Sequence, residues 1–323
     1  MGRISERNRE KVKIVLAEGS TLVRQGLRNA LVTEGYRNVR AVTQLAVVRT
    51  ILSAASPDLL IIDGHMPDGD TVALIRDIRN GAIGRNPFLP IILMTWEPDR
   101  GRVGRAVNSG VDLILVKPVA PADLLARIDG VAFDRKPFLA RASFLGPDRR
   151  AEADDDELER FHVPNTLRDR LEGRKVDPAT LSKQVDLAMQ EISSARIEDA
   201  VFKLADVVDE ICEDYKNAAL TVSLEDALQK IQRTVEYVQA HGTAEIRRMC
   251  GLLTKAVTEM RENPEEIDRK QMELLRPLSQ SILLAVRPDA DVDGALKEIS
   301  DEISGHGADK APVEDREKEP CAA

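Results

Sequence analysis

Over residues 11–130 short apolar runs alternate with amphipathic stretches. The runs are Ile14-Val15-Leu16-Ala17, residues 39–42, Leu59-Leu60-Ile61-Ile62, Ile91-Ile92-Leu93-Met94 and Leu113-Ile114-Leu115-Val116. Short, nearly continuous apolar runs between turn residues predict strands buried on both faces. Helical periodicity lies between them, for example over residues 22–32 and 45–55. Strands alternating with helices imply βαβ units and a parallel sheet. The first domain, residues 11–132, is therefore predicted to be α/β, with five strands in a doubly wound parallel sheet.

Periodicity stops over residues 133–177. This stretch carries several prolines and two charged clusters, Arg149-Arg150 and Asp154-Asp155-Asp156, and it predicts a partly extended linker. Residues 178–303 then show only helical spacing. Leu181, Val185, Ala188 and Ile192 form one stripe, and Ile197, Val201, Leu204, Val208, Ile211 and Tyr215 another. The phase slips at Ser193-Ser194, where either the helix breaks or a coiled coil absorbs a skip. Ser223 with Asp226 resembles a capping box before Leu224, and His241-Gly242 marks that helix's end. Asn263-Pro264 opens a further helix, in which Pro277 is expected to introduce a kink. The prediction is an all-α helical bundle, followed by a polar tail at 304–323 without the composition to order itself.

Composition narrows the function. Hydrophobic residues make up 43% of the chain, enough for a core, but aromatics only 3%, too few for a stacking platform for single strands. The net charge of -9 leaves no clear basic patch for duplex DNA. Cys212, Cys250 and Cys321 lack zinc or redox spacing, as expected in a reduced cytosol. The N-terminus has no apolar signal core and no run reaches membrane-spanning length, so the expected location is cytoplasmic.

Three polar residues follow predicted strands directly. Asp63 follows Leu59-Leu60-Ile61-Ile62, Thr95 follows Ile91-Ile92-Leu93-Met94, and Lys117 follows Leu113-Ile114-Leu115-Val116. A parallel sheet delivers such residues to one edge, where its ligands bind. A carboxylate, a hydroxyl and an ammonium meeting there suit phosphoryl transfer to the carboxylate. The carboxylate attacks, the cation offsets charge on the phosphoryl oxygens, and the hydroxyl hydrogen-bonds the new group.

With these motifs in place, residues 13–130 resemble a response regulator receiver domain. Pro57 to Asp63 with Met66-Pro67 is similar to the segment around that family's phosphorylated aspartate. Met94-Thr95 resembles its switch hydroxyl, and Ser109-Gly110 with Val116-Lys117-Pro118 its lysine segment, whose Lys-Pro peptide is usually cis. The resemblance implies a flavodoxin-like fold, Asp63 as acceptor, and a histidine kinase or phosphotransfer protein as donor. It also implies Mg²⁺ held by acidic residues after the first strand, by Asp63, and by the backbone carbonyl of His65.

The chain departs from the pattern twice. Where the family has two acids, Ala17-Glu18-Gly19 stands, with Glu18 on the first and Gly19 on the second. One carboxylate fewer is expected to weaken Mg²⁺ binding. Ile114 stands where the family often has Tyr or Phe. A receiver scaffold that is never phosphorylated is therefore the alternative reading.

For the helical region the expectation is a module for an unidentified protein partner, with homodimerisation open and no enzymatic activity. Residues 245–252 with Val257 have a passing likeness to a helix-turn-helix, with Gly251 at the turn. Arg247, however, occupies a position that needs a small residue, and Ile246, Met249, Leu253, Val257 and Met260 equally fit one unbroken helix. His241, at a helix end, reads as a cap rather than a phosphotransfer histidine. Gly84 to Phe88, Thr95-Trp96-Glu97-Pro98, Arg135 to Phe138 and Gly146 to Arg150 resemble a bacterial subgroup of receiver proteins with helical extensions. They are read as linker strands or turns packed on the receiver.

Overall fold

The computed structural model describes residues 6–96, 99–142, 144–149, 159–216, 224–262 and 269–286. In chain order the elements are α1 (Glu6–Arg9), β1 (Lys13–Ala17), α2 (Thr21–Thr33), β2 (Asn38–Val42), α3 (Leu45–Ala54), β3 (Leu59–Asp63), α4 (Thr71–Arg79), β4 (Ile91–Thr95), α5 (Arg100–Val107), β5 (Leu113–Val116) and α6 (Pro121–Phe133). There follow β6 (Phe138–Arg141), β7 (Phe144–Pro147), β8 (Arg160–Phe161), α7 (Thr166–Leu171), α8 (Pro178–Lys216), α9 (Leu224–His241), α10 (Ala244–Glu262) and α11 (Arg269–Val286). Contacts divide the chain into one unit up to Arg196 and a second from Ile197.

In the first unit a parallel five-stranded sheet has the order β2-β1-β3-β4-β5. The predicted α/β class and all five strands are observed. β3 is buried along its whole length because helices cover both faces. One face packs Val48, Ile51, Leu74 and Ile78 from α3 and α4, and the other packs Leu27, Leu31, Leu124 and Ile128 from α2 and α6. The backbone N–H groups of Leu45 and Ala46, at the start of α3, donate to the Asp68 carboxylate from the β3–α4 loop at 2.8 and 3.1 Å. These charge-assisted bonds hold the Asp68 carboxyl below the usual carboxylate range.

The segment expected to be a partly extended linker, 133–177, is instead largely folded. β6, β7 and β8 form an antiparallel sheet of order β7-β6-β8, and α7 returns to the receiver core through Leu167 and Leu171. A third core joins Phe88, Phe138, Leu145 and Phe161 to Val185 and Ile192 of α8. Residues 178–196, assigned from sequence to the helical domain, thus belong to the first unit. Of the segments read as linker strands or turns packed on the receiver, Phe138 opens β6 and Gly146-Pro147 ends β7, while Arg150 lies outside the described residues.

Beneath this sheet lies a buried charge cluster. The Arg79 guanidinium donates to the carbonyls of Gly110, Pro87 and Leu89 and to Asp112 Oδ2. Asp112 also accepts from Arg135 Nε at 2.7 Å and from the Ile91 N–H at 2.8 Å. Both guanidiniums lie over the Phe138 ring, at 5.4 and 4.8 Å from its centroid. Desolvation lowers the Arg79 pKa to about 10, with Asp112 opposing and Arg135 adding to the shift, so Arg79 stays charged at neutral pH.

The β6–β7 hairpin approaches the receiver backbone at Gly110, whose φ is +83°. A Cβ there would stand 2.1 Å from the Leu145 carbonyl oxygen. Gly110→Val combines left-handed strain with a backbone clash and is expected to cost about 2–5 kcal/mol. Urea unfolding checks this, and an unchanged midpoint would show that the hairpin yields without penalty.

α8 runs unbroken through Ser193 and Ser194, which decides the open choice there against a break. Its first stripe, Leu181, Val185, Ala188 and Ile192, packs in the first unit, and Val201, Leu204, Val208 and Ile211 are buried in the second. α9, α10 and α11 belong to that second unit, with Ile231, Val235, Leu253, Val257 and Ile282 buried. α9 ends at His241, as read. α10 continues through Gly251, so there is no turn at that point. α11 includes Pro277. Ser223, Asn263-Pro264 and the 304–323 tail lie outside the described residues. No helix among the described residues is long and apolar enough to cross a membrane.

Candidate functional site

Sheet register brings the predicted residues to one edge. Ala17 pairs with Ile62, Asp63 with Met94, and Thr95 with Val116. Glu18, Asp63, Thr95 and Lys117 consequently stand at the carboxyl ends of β1, β3, β4 and β5. The Gly64 N–H donates to the Met94 carbonyl and the Lys117 N–H to the Thr95 carbonyl, both at 2.7 Å, which extends the ladder past the strand ends. The Lys117-Pro118 peptide is cis.

Lys117 Nζ lies 2.5 Å from Glu18 Oε2 and 2.9 Å from Asp63 Oδ2. All three side chains are buried. One ammonium therefore bridges two carboxylates, leaving one negative charge in excess. Glu18 Oε1 accepts from the Ser20 N–H at 2.9 Å. Among the described residues, Asp63 Oδ1 accepts a long bond, 3.3 Å, from the His65 N–H. The His65 side chain is exposed. Ile114 is half-buried against the α3–α4 core.

Several supports were missed in the sequence. The Thr71 hydroxyl donates to the Asp63 carbonyl at 2.9 Å, fixing the end of β3. Arg24 donates to the carbonyls of Glu18 and Gly19 at 2.9 and 3.2 Å, fixing the loop after β1. The Trp96 ring lies 5.5 Å from Lys117 Nζ. The three hydrogen bonds engage backbone carbonyls and the Trp96 contact depends on the β4–β5 register, so residue type alone does not signal them.

Two carboxylates and a backbone carbonyl are hard oxygen donors and fit Mg²⁺ in kind. Gly19 adds no side chain, and the described residues hold no group of three metal-ligating side chains. A Cβ on Gly19 would meet only Pro67 Cδ, at 3.5 Å, so a larger residue has room there.

Residues 14–129 match the family model for the response regulator receiver domain. The KDP operon transcriptional regulatory protein KdpE of Escherichia coli is 32% identical over 117 residues, covering 36% of this chain and 48% of that one. Chemotaxis protein CheY-3 of Vibrio cholerae is 25% identical over 126 residues, covering 39% of this chain and 95% of that one. Among solved structures, Vibrio cholerae CheY4 is similar at 24% identity and a TM-score of 0.34, over 37% of this chain and 98% of that one. The chain spans about half the length of the first curated relatives it matches. The matched segment carries Asp63, Thr95 and Lys117 at its strand ends, and residues 14–129 are a receiver domain of the two-component response regulator type, followed by a helical C-terminal region.

Proposed function

We propose that this protein accepts a phosphoryl group on Asp63 from a histidine kinase or phosphotransfer protein and signals through its helical region to a protein partner. The observation that carries this reading is the buried Lys117 ammonium within 2.9 Å of Asp63 Oδ2. In the transfer, an Asp63 oxygen forms a bond to phosphorus. The bond from phosphorus to the donor breaks, and its electron pair leaves with the donor. Lys117 neutralises charge on the phosphoryl oxygens, and Thr95 provides a hydroxyl to hydrogen-bond the new group. Mg²⁺ held by Glu18, Asp63 and the His65 carbonyl would add further charge neutralisation. The test is the full chain with acetyl phosphate and Mg²⁺, read by intact mass: one added phosphoryl group is expected. No gain, even with a cognate kinase, would leave the scaffold reading.

Gly19 favours weak Mg²⁺ binding. Gly19→Asp is expected to tighten Mg²⁺ binding by about tenfold, since it adds a carboxylate donor at a site with room for it. A Mg²⁺ titration of phosphorylation rate checks this, and identical curves would place the second acid elsewhere. We place no enzymatic activity in the helical region and the protein in the cytoplasm. Some relatives are named as transcriptional regulators. Against DNA binding here stand the acidic charge and the unbroken α10 through Gly251.

A further inference from the structure

The phosphoryl-transfer reading leaves the Thr95-Trp96 motif half used. Trp96 is the chain's one tryptophan, and it is 56% exposed beside a buried ion cluster. Its placement follows from the backbone. The Lys117 N–H grips the Thr95 carbonyl, so the residue after Thr95 is held against the β5 end. Alternation along β4 sends Met94 and Trp96 to one side of the sheet and Thr95 to the other. On the Met94 side, Trp96 borders an open cleft of about 270 Å³ with Val23, Leu27, Pro118 and Pro121. The ring comes 5.5 Å from Lys117 Nζ, within the range where the electron-rich face of an indole attracts a cation.

Among the described residues the ammonium meets Glu18, Asp63 and an indole face. The indole attracts it without carrying a charge that would compete with Asp63 for a phosphoryl group. When an Asp63 oxygen becomes part of an acyl phosphate, the carboxylate charge that faces Lys117 passes to the phosphoryl oxygens, which lie farther from the Asp63 carboxyl carbon. We propose that Trp96 is a positioning residue for Lys117, which holds the ammonium beside Asp63 before transfer and registers its displacement afterwards. This rests on Asp63 being the acceptor.

The experiment follows intact mass and tryptophan emission together on the full chain with acetyl phosphate and Mg²⁺. Wild type is expected to gain one phosphoryl group and to change its emission in step. Asp63→Ala should show neither change, and Lys117→Met should alter the resting emission by removing the cation from the ring. Trp96→Leu is expected to slow phosphoryl incorporation roughly two- to five-fold, and Trp96→Phe, which keeps an aromatic face, to recover most of that loss. A merely structural role would not separate Phe from Leu in this way. A wild type that gains mass without any emission change overturns the proposal and leaves the acceptor reading intact. Trp96→Leu incorporating at the wild-type rate does the same. If Trp96→Leu fails to fold, the wild-type emission and Trp96→Phe still decide. A wild type that gains no mass overturns the acceptor reading, and this proposal with it.

Discussion

Asp63→Ala is expected to abolish phosphoryl incorporation altogether while leaving the fold intact. The substitution removes the carboxylate that faces Lys117, and Ala has no nucleophile. Glu18 is the other carboxylate at the strand ends. Its two oxygens are engaged by Lys117 and the Ser20 N–H at 2.5 and 2.9 Å, so it does not replace Asp63 as acceptor. Stability should not fall. In the wild type, Glu18 and Asp63 share one cation, and like charges in a buried site oppose one another. The variant keeps a balanced Lys117–Glu18 pair. Intact mass and thermal unfolding read the two effects separately. Persistent incorporation would move the acceptor to another carboxylate, and a large drop in unfolding temperature would mean that Asp63 is needed for the fold.

Asp112→Ala is expected to cost about 3–5 kcal/mol of stability, the range for breaking a buried ion network from one side. The Asp112 side chain is 2% exposed and lies between two guanidiniums. Without it, Arg79 and Arg135 remain charged and buried next to one another, and the Ile91 N–H loses its acceptor. Asp112→Asn should lose less, because its carbonyl oxygen still accepts one of these bonds. Urea unfolding measures both, and a loss under about 1 kcal/mol for the alanine variant would show that water or a neighbour takes over the role.

How much of this was legible in the sequence depended on how local each signal was. The strands β1, β3 and β4 announced themselves because burial on both faces makes their residues almost uniformly apolar, and the edge strand β5 did so as an apolar run although it is only partly buried. Asp63, Thr95 and Lys117 were legible for the same reason: each sits one step past, or at the end of, such a run. β6 and β7 were legible only as possible short strands or turns, because four residues show too little periodicity to reveal their pairing, and their core partner Phe88 lies some fifty residues upstream. Arg79 and Asp112 give no signal in the sequence, since only the fold shows that their carbonyl and guanidinium partners converge. The slip at Ser193-Ser194 was visible, but its meaning was not. It marks where one continuous helix passes from the aromatic core of the first unit to the burial pattern of the second.

The aromatic core around Phe88 also separates the evolutionary module from the unit that folds. The receiver match ends at residue 129, yet Phe88 is sealed by Phe138, the α2–α6 core is closed in part by Leu167 and Leu171, and the charge of Asp112 is shared with Arg135. A receiver excised at the family boundary would carry a bare aromatic ring and an apolar seam into solvent, together with an ion network lacking one of its cations. Such a fragment would be prone to aggregation, whereas the first compact unit continues through Arg196, into α8.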